Sequence, residues 1–357
     1  MKKYSKFIVL MLVVCFICVL ACAGCSTNNT DIPAVGDEKK ITVTDGLDRK
    51  ITLDKKPEKI LTSYGIATHM VFTLKAQDRL VGIDTPSLNN PFFNGLMPET
   101  SNMPSPGSPA EFNIEEAIAL KPDIILVPGR NKELVETLEA KGLNVFGVVA
   151  EDLDQLKNTM LELGKALGAE KEAKDFTDYY DNAINEVKGK VGNLSDNDKP
   201  TVYLVGPMGF LSTCSQDMYQ NYLIDLAGGK NAAADLKGGW VDVSPEQVID
   251  WNPDIIFIVQ YTTGITPEDV LKDNRWKGIN AVKNKQVFWF PSNINPWDYP
   301  SPEAALGIQW ITQKLHPDLF KDFDMLKEAD SYYKTFYGKT FTDLGGDLTS
   351  QKSLKKS

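Results

Sequence analysis

The stretch IEEAIALKPDIILV, beginning at Ile114, is written again as PEQVIDWNPDIIFI from Pro245, with six of fourteen positions identical and no gap. The identities pair Glu115 with Glu246, Ile118 with Ile249, Pro122 with Pro253, Asp123 with Asp254, Ile124 with Ile255 and Ile125 with Ile256. Each copy reads as one helix followed by one buried strand. A chain that repeats such a unit so far apart is constrained toward two similar α/β lobes. With 357 residues, 42% of them apolar, it can bury a core in each.

The surrounding sequence fits this reading. ITVTDGLDRKITL (Ile41 to Leu53) alternates apolar and polar residues around Asp45-Gly46, which predicts a short hairpin. The runs KILTS, LVGID, DIILV and NVFGV follow, and after Pro200 come TVYLV, DIIFIV and QVFWF, with helix-like or loop segments between them. Strands alternating with helices argue for parallel, doubly wound sheets covered on both faces. Between the two series, Glu151 to about Val191 carries no strand signal. Leu153, Leu156, Met160, Leu163 and Leu167 stand there at helical spacing. The segment reads as a helix pair or one long broken helix joining the lobes, ended by the loop chemistry of GNLSDNDKP. The boundaries predicted are 41–150 for the first lobe, 151–199 for spine and linker, 200–342 for the second lobe and 343–357 for a polar tail. One domain with a single large sheet is the competing architecture.

Residues 1–24 read as a signal peptide: Lys2, Lys3 and Lys6, then an apolar run from Phe7 to Leu20, then small residues. ACAGCSTNNT resembles a bacterial lipobox, with Ala23-Gly24 before a lipidated Cys25. Cys22 stands where leucine is usual and is itself a competing acceptor, and an ordinary signal peptide with incidental cysteines is the plain alternative. Residues 25–40, rich in Asn, Thr, Asp and Gly, form a flexible leash. Of five cysteines only Cys214 then lies in the body, so no internal disulfide is available and packing must supply stability. The net charge of −10 becomes more negative by three when the signal lysines leave, which argues against a nucleic-acid partner. No second run reaches the roughly 18 apolar residues of a spanning helix.

The whole mature chain resembles the extracytoplasmic substrate-binding proteins of ABC importers, in the branch for iron chelates, haem and cobalamin. The stretches that carry the resemblance are ITVTDGLDRKITL leading to PEKILTS, IEEAIALKPDIILVPG, SPEQVIDWNPDIIFIV and PSPEAALGIQWITQKLHPDLF. It implies two α/β lobes on a long spine helix, a ligand cleft between them, no cofactor and no catalysis. The implied partners are a permease dimer with its ATPase subunits, served by a monomeric carrier tethered to the outer face of the cell membrane by lipid alone. Glu115 and Glu246 match the positions at which similar proteins dock into permease arginines. By themselves these glutamates read as first-turn helix acids behind the caps Asn113 and Ser244, stabilised by roughly 0.3–1 kcal/mol.

In doubly wound sheets ligands lie beyond the carboxyl ends of the strands. The loops there offer Ser63, Tyr64, Phe92, Phe93 and Arg130 in the first lobe. In the second they offer Met208, Trp240, Tyr261, Asn295, Trp297 and Tyr299. This set is rich in aromatics and poor in charge, as expected for a bulky, partly apolar ligand. With only His69 and His316, a zinc or manganese carrier lacks its histidine cluster. His69 reads as a packed histidine and His316 as a surface one. Four arginines, of which Arg130 alone falls on a cleft loop, disfavour highly anionic catecholate complexes. Hydroxamate siderophores, haem with Tyr64, Tyr261 or Tyr299 as phenolate ligand, and corrinoids remain, with molybdate or tungstate as the oxyanion alternative. A secreted enzyme is the remote reading, since no G-x-S-x-G elbow, phosphate loop or zinc-hydrolase motif is present.

Overall fold

The computed structural model describes residues 40–349, so the signal peptide, Cys25, most of the leash and the end of the tail lie outside the described residues. Strands β1 (Ile41–Thr44) and β2 (Lys50–Leu53) form the expected antiparallel hairpin. Asp45 makes the turn. Its Oδ1 accepts from the N–H groups of Leu47 and Arg49, both at 3.0 Å, and its Oδ2 accepts from Gly147 N–H at 2.9 Å. The hairpin is thereby pinned to the edge of the first lobe.

That lobe contains β3 (Ile60–Thr62), β4 (Leu80–Gly82), a two-residue ladder of β5 (Gly107–Ser108) and β6 (Glu111–Phe112), then β7 (Ile124–Pro128) and β8 (Val145–Val148). The main sheet has the order β4-β3-β7-β8, and every pair is parallel. The second lobe contains β9 (Thr201–Val205), β10 (Ser212–Cys214), β11 (Lys230–Asn231), β12 (Trp240–Asp242), β13 (Ile255–Ile258) and β14 (Val287–Trp289). Its parallel part runs β11-β9-β13-β14, the same second-first-third-fourth order as the first lobe. β10 and β12 extend it antiparallel beyond the carboxyl end of β9.

The repeated stretch occupies equivalent places. Each PDII begins the third strand, with Ile124 opposite Ile60 and Ile255 opposite Val202. Each aspartate clamps the entry of the first strand: Asp123 Oδ2 accepts from Glu58 and Lys59 N–H at 2.8 and 2.9 Å, and Asp254 Oδ2 from Thr201 N–H at 3.0 Å. The preceding helices both stop in the left-handed region, at Lys121 (φ 51°) and Asn252 (φ 43°).

The spine is a helical hairpin rather than one long helix. Helices Leu153–Leu167 and Glu170–Val191 fold back on each other at Gly168, which takes φ 60°. Lys157 on one reaches Asp181 on the other at 2.6 Å. Leu153, Leu156, Met160, Leu163 and Leu167 are all buried, as their spacing requires. The helices touch at Gly164, where an added Cβ would lie 2.4 Å from the Ala173 Cβ. Gly164→Val is therefore expected to destabilise the fold by about 1–3 kcal/mol through overpacking, measured by urea denaturation.

One departure concerns the lobe boundary. Helix Met325–Tyr337 belongs to the second series in sequence but packs on helix Gly65–Thr73 of the first lobe, where Tyr337 Oη lies 3.2 Å from Thr73 Oγ1. A single hydrophobic cluster runs through both sheets and the spine, so the lobes share a core at their hinge.

Candidate functional site

In both sheets the winding direction reverses beside the first strand, between β3 and β7 and between β9 and β13. Loops leaving strands on either side of such a switch point part and leave a crevice. In the first lobe those loops begin at Ser63-Tyr64 and Gly129-Arg130. In the second they begin at Gly206 and Val259. Helix Gly65–Thr73 and the loop after β14 bring the two ends together, because His69 Nε2 lies 2.7 Å from Glu303 Oε1 and Asn295 Nδ2 lies 3.2 Å from His69 Nδ1.

In the first lobe Ser63 donates its backbone N–H to Leu126 O at 3.0 Å. Its hydroxyl is buried with no protein partner. Tyr64 is half-buried, and burial raises its phenol well above the usual range while the nearby Arg130 charge opposes the rise. Arg130 itself is exposed at the tip after β7.

In the second lobe three candidates converge. Tyr261 stacks on Tyr299 with ring centroids 5.0 Å apart and planes at 10°, and Trp240 meets Tyr261 edge-on at 6.4 Å. Tyr299 is 37% exposed and Met208 63%. Behind this panel Asp298 is fully buried. Its Oδ2 accepts from Tyr261 Oη at 2.6 Å and Gln220 Nε2 at 3.3 Å, while Oδ1 has no protein partner. Burial pushes the carboxyl up to about 6, against those hydrogen bonds. Burial also pushes Tyr299 up to about 12, and Tyr261 is driven up by burial and the Asp298 charge. At neutral pH both phenols are protonated, and the Tyr261 oxygen is committed to Asp298, which works against it as a phenolate ligand for haem iron.

Several expected cleft residues lie elsewhere. Trp297 is fully buried, donating Nε1–H to Tyr333 Oη at 3.4 Å and packing 5.4 Å from Phe341. Phe92 and Phe93 are core residues whose rings lie 4.7 and 5.7 Å from the His69 ring. None of the three offers surface to a ligand, because the shared hinge core takes up their apolar faces. Asn295 is half-buried and spends its amide on His69 and Glu303, so its place is in the hinge network. His316 is buried too, its Nε2 3.1 Å from Gly228 O, and is not the surface residue its sequence position indicated. His69 is packed as expected, but in a buried pair that joins the lobes.

A concavity of about 410 Å³ lies between the hairpin turn and helix Leu153–Leu167, and its Val149 wall abuts Gly129 just past β7. It borders a structural joint, where Thr44 N–H donates to Glu162 Oε2 at 2.6 Å. Tyr64, Arg130, Met208 and Tyr261 follow the switch-point strands, and Trp240 and Tyr299 gather on Tyr261. Among the described residues no cluster of His, Cys, Asp and Glu could hold a metal ion, and no helix is long and apolar enough to cross a membrane.

Glu115 and Glu246 stand at corresponding places on the two lobes. The Glu115 side chain is 81% exposed, with Lys141 Nζ no nearer than 4.0 Å, and Glu246 is exposed one turn from Ile249, itself 47% exposed. Capping is done by others: Asn113 accepts from Glu116 N–H at 3.1 Å, and Ser244 forms a capping box with Gln247. Both glutamates are left without a hydrogen-bonding duty at the helix start.

Two lobes of like winding that share a hydrophobic core are the architecture of periplasmic binding proteins. The chain belongs to the periplasmic binding protein family, whose model matches residues 25–294. It is similar to the molybdate-binding protein MolA of Haemophilus influenzae, 29% identical over 343 residues that cover 89% of this chain and 96% of that protein. It is also similar to the ABC transporter substrate-binding lipoprotein YvrC of Bacillus subtilis, 26% identical over 290 residues, 79% of this chain and 87% of that one. The haem uptake protein IsdE of Staphylococcus aureus is 27% identical over 221 residues, 58% of this chain and 73% of that one. Among solved structures, a periplasmic solute binding protein from Veillonella parvula matches with a TM-score of 0.77 at 26% identity, covering 86% of this chain and 96% of that one. The molybdate-bound MolA matches at 0.74 and 26%, covering 84% and 98%.

Proposed function

We propose that this chain is the substrate-binding lipoprotein of an ABC importer, anchored through Cys25 on the extracytoplasmic face of the membrane. It captures a metal-containing anion between its lobes and hands it to a permease dimer driven by ATPase subunits. The ligand we infer is an iron chelate, a siderophore complex or haem, with Arg130 taking its anionic edge and Tyr64 beside it. What supports this reading is the aromatic panel of Trp240, Tyr261 and Tyr299, for which a small ion has no use, with Met208 exposed on the loop after β9. A corrinoid would use the same panel. A bare oxyanion is the second reading. It is favoured by the unpartnered, buried Ser63 hydroxyl near the Arg130 loop and by similarity over almost the whole of a molybdate-binding protein.

The test is calorimetric titration of the intact protein with haem, a ferric hydroxamate, cyanocobalamin and molybdate. One of the first two is expected to saturate at one per chain, and Arg130→Ala to weaken an anionic ligand about 10- to 100-fold, the range for hydrogen bonds to a charged group. Saturation by molybdate alone would replace the chelate with the oxyanion. Unchanged affinity in Arg130→Ala would remove that residue from the site.

A further inference from the structure

We propose that Gly206 is a positioning residue for ligand capture: the space left by its missing side chain seats the Trp240 ring, and that seat fixes the aromatic panel a bulky ligand meets. The inference rests on the reading above, that Trp240, Tyr261 and Tyr299 face the ligand.

Gly206 is the first residue after β9 and is buried. A Cβ built on it would lie 2.4 Å from Trp240 Cε3 and 2.8 Å from both Trp240 Cζ3 and Ser212 Oγ. Gly206 is not among the glycines at positive φ, so its backbone conformation does not itself call for glycine. The space does. Nor can the backbone retreat, because Gly206 N–H donates to Ser212 O at 2.7 Å and Gly206 O accepts from Thr262 Oγ1 at 2.7 Å. Of the two side chains in the way, Ser212 yields at little cost, since its hydroxyl has no protein partner to lose. The indole is rigid and moves only as a whole. An alanine here therefore drives the Trp240 ring off its seat by about 1 Å, the shift that restores ordinary contact.

That shift reaches the rest of the panel. Trp240 opens β12, where it pairs with Cys214 of β10, so the strand is held and the side chain is what moves. Its ring meets Tyr261 edge-on, and Tyr261 stacks on Tyr299. Tyr261 is tethered by its hydroxyl, which donates to Asp298 Oδ2 at 2.6 Å, and so resists being pushed aside. Trp240 is half-buried, and solvent is its open side. The displaced ring stands proud of the two tyrosines and breaks the surface that a macrocycle or bulky chelate would cover. A small oxyanion held near Arg130 makes no use of that surface and is indifferent to the change.

The experiment is calorimetric titration of the intact protein with haem, a ferric hydroxamate, cyanocobalamin and molybdate, repeated on Gly206→Ala, Trp240→Leu and the double variant. For whichever bulky ligand binds the wild type, Gly206→Ala is expected to weaken affinity about 10- to 100-fold, the range for overpacking. In the Trp240→Leu background, where no ring occupies the seat, the same change should cost less than about twofold. That loss of effect separates the positioning of Trp240 from a general structural demand for glycine. Wild-type affinity in Gly206→Ala, or an equal loss in both backgrounds, overturns the role of Gly206 and leaves capture itself standing. If Gly206→Ala does not fold, the double variant should, and its failure to fold likewise overturns the proposal. If Trp240→Leu binds too weakly to titrate, the crystal structure of Gly206→Ala decides: a ring displaced outward supports the proposal, and a ring in its wild-type place overturns it. Failure of haem, hydroxamate and cyanocobalamin alike to bind the wild type overturns instead the panel reading on which the inference rests.

Discussion

Glu303→Ala is expected to remove roughly 3 kcal/mol or more of folding stability, because it strands several buried hydrogen-bonding groups at about 1–3 kcal/mol each. Glu303 is fully buried and His69 is 3% exposed. The carboxylate accepts from His69 Nε2 at 2.7 Å and from Tyr337 Oη, and its second oxygen lies 3.4 Å from both Asn295 Nδ2 and Ser301 Oγ. These partners come from helix Gly65–Thr73, helix Met325–Tyr337 and the loop after β14, so one deletion strands polar groups from three directions. Leaving such groups unpaired costs more than the pair contributes when intact. Glu303→Gln, which keeps two hydrogen-bonding atoms, should lose less than half as much. His69→Gln and Glu303→Gln combined should fall well short of the sum of the single effects, because they share one network. Urea denaturation measures all of this. A loss below about 1 kcal/mol for Glu303→Ala would mean that the hinge does not depend on this pair.

The second large effect concerns transport rather than folding. Glu115→Ala with Glu246→Ala is expected to leave ligand affinity within about twofold of wild type and to cut uptake by whole cells tenfold or more. The caps Asn113 and Ser244 remain in place and neither glutamate lies on a switch-point loop, so fold and cleft should be indifferent to the change. We propose that what is lost is one anionic docking peg on each lobe, the role that the resemblance implies for these two positions. Charged pegs at an exposed rim act on the rate and register of docking, which suits a carrier that must bind and leave its permease repeatedly. Single substitutions should fall between wild type and the double variant. Collapse of ligand binding in the double variant would place these residues in the site instead.

How much of this could be read in the chain depended on what each feature requires. Strands buried on both faces must be continuous apolar runs, so DIILV and DIIFIV stood out, and the repeat located the third strand of each lobe. The spine helices announced themselves by a buried stripe, and the reversal at Gly168 was hidden only in its geometry. β10 and β12, three residues each, have no signal strong enough to separate them from loops. In the site the sequence placed Tyr64, Tyr261, Trp297 and Tyr299 on loops, as found. Trp240, however, opens β12, Phe92 and Phe93 lie on helix Pro91–Leu96, and no local pattern said which way any of them turn. The NPWDYPSP loop lies flat on helix Ala304–Leu315, so close that a Cβ on Gly307 would meet Trp297 O at 2.3 Å. That contact turns Trp297 inward and leaves Tyr299 outside. The His69–Glu303 pair joins residues more than two hundred positions apart, and no local pattern marks it.

We propose that this protein carries one small ligand between two lobes and does no chemistry on it. Native mass spectrometry of the protein purified from its own host, with the optical spectrum of the same sample, tests this most directly. The expected result is a monomer with a single metal-containing ligand at one per chain, released unaltered on unfolding. A Soret or ferric charge-transfer band would name the preferred class. A chain that carries no ligand and converts an added compound into product would contradict it.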